Sequence, residues 1–114
     1  MTPIASQIGT YLDLLSVRQK LVASNIANAA TPGYKTRDID FQFEYQSALD
    51  EASPGAVNVF EPDNLKAHND GNNVSLDRES RLLAETGIRF NFGTQLWRSQ
   101  LRQIRAAIQE GRNG

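Results

Sequence analysis

The sequence predicts a mainly α protein. Long N- and C-terminal helices pack as a coiled coil, with an irregular central loop region between them. Three observations carry this reading. Ile8, Tyr11, Leu15, Val22 and Ala29 recur in three- and four-residue steps. Leu76, Leu83, Phe90, Trp97 and Ile104 fall every seven residues. Between these stretches Gly, Pro, Asn and Asp accumulate, and periodicity is lost. The 114 residues are enough for one core, so the parts 1–35, 36–75 and 76–114 are read as one structural unit.

The first helix spans about Pro3 to Ala29, roughly 40 Å at ~1.5 Å per residue. Leu12 and Ile26 widen its apolar stripe, and the steps at Arg18 and Asn25 are polar. Its stop is Thr31-Pro32-Gly33: a residue turned away from α by the following proline, a fixed φ, and a glycine tolerant of positive φ. Pro32 and Gly33 at the two centres of a turn suit type II geometry.

In the middle, Ile39, Phe41, Phe43 and Tyr45 alternate as in a strand, while Phe41, Tyr45 and Leu49 have helical spacing. So short a run fits both. Residues 50–73 read as a long loop, partly or wholly disordered in the free subunit. The last helix starts after Ser75, a suitable N-cap, with Asp77 and Glu79 near its positive end and Arg102, Arg105 and Arg112 near its negative end. Four places after each heptad residue stand Ser80, Gly87, Thr94, Leu101 and Ile108. A strict seven-residue period favours a left-handed supercoil. The expected seam sets Leu83, Phe90, Trp97, Leu101 and Ile104 against Ile8, Leu12, Leu15 and Val22. Gly87 and Gly93 mark a kink or a close approach.

Net charge is -1 and the pI about 5.8, unlike a domain whose main partner is nucleic acid. The charge is nevertheless segregated. Residues 1–35 sum to +2, 36–75 to -6 and 76–114 to +3. Copies of such a chain can attract one another, ends to middle. No cysteine and one histidine leave no thiol chemistry and no His-pair metal site. No stretch approaches the ~18 apolar residues of a membrane span. The opening MTPIASQIGTYLDLL lacks a basic lead and a long apolar run, so no Sec signal peptide is expected.

Neither an enzyme nor a cofactor is expected from these residues. His68 reads as an exposed loop residue, without a nucleophile and an orienting acid beside it. Asn73-Val74-Ser75 matches a glycosylation sequon, but without secretory signals it reads as chance plus a helix cap. Asp38 and Asp40 read as solvated, or as paired with a basic neighbour such as Arg37.

The most specific string is Asn25-Ile26-Ala27-Asn28-Ala29-Ala30-Thr31-Pro32-Gly33-Tyr34-Lys35. Taken apart, it is a helix end and a tight turn. Taken whole, it closely resembles the signature of flagellar rod and hook proteins. Arg37-Asp38-Ile39-Asp40-Phe41, and Asp70-Gly71-Asn72-Asn73-Val74 ahead of Leu76-Asp77-Arg78-Glu79, resemble the proximal-rod members of that family. The resemblance implies a structural subunit of the basal-body rod that assembles with its own copies and with other flagellar rod proteins. It implies contact with a membrane-ring/rod adaptor at the proximal end. It further implies a tube that transmits torque and passes exported subunits, a periplasmic location, and exit through the flagellar type III export apparatus without a cleaved signal. No nucleic acid and no small-molecule substrate belong to this picture. Asn25, Ile26, Ala27, Asn28, Thr31, Pro32, Gly33, Tyr34, Arg37, Asp38 and Phe41 would form the assembly motif. The alternative is a soluble helical adaptor or weak nucleic-acid-binding module using the Arg-rich final helix, with strongly salt-dependent binding to DNA.

Overall fold

A computed structural model describes residues 3–50 and 56–113. The elements are α1 (Pro3–Ala27), β1 (Asp38–Ile39), α2 (Phe41–Asp50), β2 (Val59–Phe60) and α3 (Leu76–Asn113). The two long helices pack against each other, and α2 lies on α1. The molecule is a rod of 70 × 26 × 17 Å. No helix is long and apolar enough to cross a membrane.

α1 ends two residues before the expected Ala29. Asn28 and Ala29 donate their N–H groups to the carbonyls of Asn25 and Ile26, which tightens the last turn. The turn that follows is the expected one. Tyr34 N–H bonds to Thr31 O at 3.2 Å, and Gly33 has φ 76°.

The strand and helix readings of 39–49 each fit a different part. Asp38 and Ile39 pair antiparallel with Phe60 and Val59. Asp40 then caps α2, its carboxylate accepting the Phe43 N–H at 3.2 Å. Helical spacing sends Phe41 and Tyr45 to the same face, where both rings meet Tyr11 edge-on at 5.5 and 5.8 Å. Leu14, Leu15, Ile39 and Phe41 form the buried cluster, with Tyr11, Leu12, Val17, Leu21, Tyr45 and Val57 packed on it.

The stretch expected to be loop is tied down over much of its described length. β2 pairs with β1, Asn58 N–H bonds to Glu44, and residues 70–73 bond to the turn after α1. Residues 51–55 of that stretch lie outside the described residues. Ser75 caps α3, its Oγ accepting the Arg78 N–H at 3.2 Å.

The seam between α1 and α3 differs from the expected set. On α1, Leu15 and Val22 are buried, and Ile8 and Leu12 half-buried. On α3, the buried positions are Glu79, Thr86 and Gly93, another seven-residue row, rotated from the large one. Leu83, Phe90 and Leu101 stay 39, 42 and 38% exposed, while Trp97 and Ile104 are half-buried. Glu79 is turned inward by its bond to Asn25, and at Gly93 the cause is size: Leu12 and Tyr11 of α1 bring the bulk. A Cβ on Gly93 would lie 2.7 Å from Leu12 Cδ2, and Gly9 leaves room for the Trp97 ring. The close approach expected of the glycines therefore occurs at Gly93, while Gly87 opens on empty space.

α3 has 38 residues against 25 in α1. Its end projects beyond the start of α1, and every residue from Arg105 to Arg112 is exposed.

Candidate functional site

The signature string folds into a polar clasp that ties the end of α1 to the start of α3. Asn25 is its centre and is buried, 1% exposed. Its amide nitrogen donates to Arg37 O at 2.9 Å and to Glu79 Oε1 at 2.5 Å. Its oxygen accepts the Arg37 N–H and the Tyr34 hydroxyl, both at 3.1 Å. All four hydrogen-bonding positions of the side chain are thereby filled. An apolar residue here would leave Glu79 Oε1 and both the N–H and the carbonyl of Arg37 without these bonds, so the polar step in the α1 stripe is required by its partners.

Asn72 forms the second half. Its amide nitrogen donates to Asn28 O at 2.9 Å and Thr31 O at 2.8 Å, satisfying carbonyls freed where α1 stops. Its oxygen accepts the Val74 N–H at 2.8 Å. Asn73 accepts the Thr36 N–H at 2.7 Å, and Asp70 O accepts the Gly33 N–H at 2.9 Å. Gly33 and Gly71 both have positive φ, and a Cβ on Gly71 would lie 3.5 Å from Gly33 Cα. The two turns therefore lie backbone against backbone.

Charge is concentrated beside Asn25. Asp38 accepts from Arg78 at 2.6 Å and Arg18 at 3.2 Å, and Arg78 also bonds Glu79 at 2.6 Å. Two cations and two anions balance. Burial works against the charged Arg78 guanidinium, but its bonds to Glu79 and Asp38 outweigh burial and raise its pKa. Breaking one partner of such a cluster leaves an uncompensated charge.

The motif residues divide into those turned inward and those turned outward. Asn25 and Asp38 are buried, Tyr34 and Asn28 half-buried, and Phe41 belongs to the aromatic cluster. Ile26, Ala27, Thr31, Pro32 and Gly33 are exposed. Arg37 enters through its backbone alone, with its side chain exposed. The suggested Arg37–Asp38 pairing is thus corrected to Arg18 and Arg78. Asp40, read with Asp38 as a pair, is instead the exposed cap of α2. Arg18, Thr36, Asn72, Asn73, Arg78 and Glu79 complete the site without having been singled out as its members. A signal existed for Arg18, a charge within the apolar stripe. For Glu79 it was hidden, because an acid in a first helical turn is explained by the dipole.

The clasp satisfies its buried polar groups from within the chain except at Arg18, whose Nε is buried without a hydrogen-bond partner among the described residues. Among the described residues, no cluster of three or more His, Cys, Asp or Glu could hold a metal ion. The arrangement fixes the direction in which the chain leaves α1, and it brings the outward turn 31–33 to the surface.

Comparison with known proteins agrees with this picture. Residues 12–35 match the model of the family described as flagella basal body rod protein. The flagellar basal body rod protein FlgB of Salmonella typhimurium is 30% identical over 122 residues, covering 88% of this chain and 88% of that protein. FlgB of Escherichia coli is 29% identical over 88% of each chain, and that of Borreliella burgdorferi 26% over 86% of this chain and 90% of its own. With identity sustained along 88% of each chain and the signature string inside the family match, the chain belongs to the FlgB family of flagellar basal body rod proteins.

Proposed function

We propose that this chain is a structural subunit of the proximal rod of the flagellar basal body. It would assemble with its own copies and other rod proteins into a tube that transmits torque and lets exported subunits pass. The observation that carries this is the surface of α3. Leu83, Ile88, Phe90, Phe92, Leu96 and Ile108 are 39 to 71% exposed along one helix. So much apolar surface on a small subunit marks sites of association. The outward motif residues Ile26, Ala27, Thr31, Pro32 and Gly33 would face a neighbouring subunit, held there by the clasp beneath. The periplasmic position, the adaptor at the proximal end and exit through the flagellar type III apparatus belong to the same reading.

Deleting the gene tests it. The deletion strain should be non-motile, with basal bodies that lack a rod, and the intact gene should restore both. Normal rods in the deletion strain would overturn the reading.

A further inference from the structure

Opposite charges lie unpaired on two parts of the molecule. The end of α3 carries Arg98, Arg102, Arg105 and Arg112, and none of them forms an ion pair among the described residues. Leu101, Ile104 and Ile108 share one side of this helix, and Arg98, Arg105 and Arg112 run along its flank. Ile108 is 58% exposed. The second part is a groove of about 430 Å³ between α1 and α2. Leu14, Val17, Phe43 and Val57 make it apolar, and Asp13 and Glu44 make it acidic. Asp13 is exposed and forms no ion pair among the described residues. Phe43 stands 61% exposed in its wall.

The two parts match: an apolar row with a basic flank, and an apolar groove with an acidic edge. They cannot meet within one molecule. α3 is a continuous helix to Asn113, exposed from Arg105 to Arg112, so its end does not fold back into the groove. We propose that the groove between α1 and α2 receives the last turns of α3 from a second copy of this chain. Ile104 and Ile108 enter beside Phe43, and Arg105 pairs with Asp13. The contact is heterologous, so it leaves a free groove at one end and a free helix at the other, and repeats as an open filament. It rests on the reading of the chain as a self-assembling subunit.

The absence of cysteine makes the test direct. Phe43→Cys and Ile108→Cys chains are purified separately, mixed and mildly oxidised. A disulfide-linked heterodimer is expected. It should be lost when Asp13→Arg is added to the Phe43→Cys chain. It should return when the Ile108→Cys chain also carries Arg105→Asp. Phe43→Cys mixed with Leu83→Cys, a half-exposed site on the body of α3, should give far less. No heterodimer in the first mixture, an equal yield in the control mixture, or a yield indifferent to Asp13→Arg would each overturn the proposal. The rod reading is judged separately. A strain that loses its rods on deletion, from a chain that gives no heterodimer, keeps the rod function and removes the groove from it.

Discussion

The two ends of the molecule solve opposite problems. Where α1 stops and α3 starts, polar groups are buried and answered from within the chain: Asn25 by four hydrogen bonds to three residues, Asp38 by two arginines. Where α3 runs past α1, apolar side chains and arginines stand in solvent. Buried polar networks are specific because a misplaced partner leaves a costly orphan. Exposed apolar rows stay free to take partners. The contrast assigns internal geometry to one end and association to the other.

The sharpest way to break the comparison is Asp38→Ala. It leaves Arg18 and Arg78 without their shared carboxylate, and should cost about 3–5 kcal/mol of stability. Urea denaturation of the purified chain measures it. A cost below about 1 kcal/mol would mean that the cluster is hydrated and contributes little. Next in size is the helix interface. Gly93→Val pushes a branched side chain into Leu12 and should cost roughly 1–3 kcal/mol. Gly87→Ala, on the same helix with nothing near it, should be neutral or stabilising because alanine is the better helix former. Equal effects at the two glycines would show that α1 and α3 do not pack as described.

Gly33→Val tests whether the clasp serves assembly. A branched residue at φ 76° is strained, and the cost should be about 1–2 kcal/mol, since nothing lies within 4 Å to clash with it. The chain should remain folded but present the turn 31–33 in a different direction. Expected are a stable, exported protein and cells without rods. Normal rods would remove the assembly role from the motif, and so would a chain that unfolds and is degraded.

How far these features could be read from sequence depends on the range of the interaction responsible. The stop of α1, the type II turn and the Ser75 cap are local chemistry, and each was legible in a few neighbouring residues. The heptad of large residues announced a seam, but a period does not say which partner covers it. The answer lay in the bulk of Leu12 and Tyr11 on the other helix, which leaves room for a glycine at position 93. The clasp was half legible. Asn25 and Arg18 stood out as polar steps in an apolar stripe, but Glu79 lies 54 residues away and resembles any acid in a first helical turn. The choice between strand and helix near Phe41 was settled by Tyr11, a contact across 30 residues.

The smallest expected change in stability belongs to the protruding end of α3, and it sharpens the comparison most. Ile108 touches no core residue and is 58% exposed, so Ile108→Ser should shift stability by no more than about 0.5 kcal/mol. Amide exchange in the isolated monomer should agree. Residues 76–97, held by the clasp and by α1, should be protected, while 105–112, all exposed, should exchange rapidly. The contact row there matters only once a neighbour covers it. Ile108→Ser should therefore leave the melting curve of the monomer in place and still reduce rod assembly in cells. A variant that lowers monomer stability by 2 kcal/mol or more would show that the end of α3 folds back on its own chain, and a variant that builds normal rods would show that the row is not used.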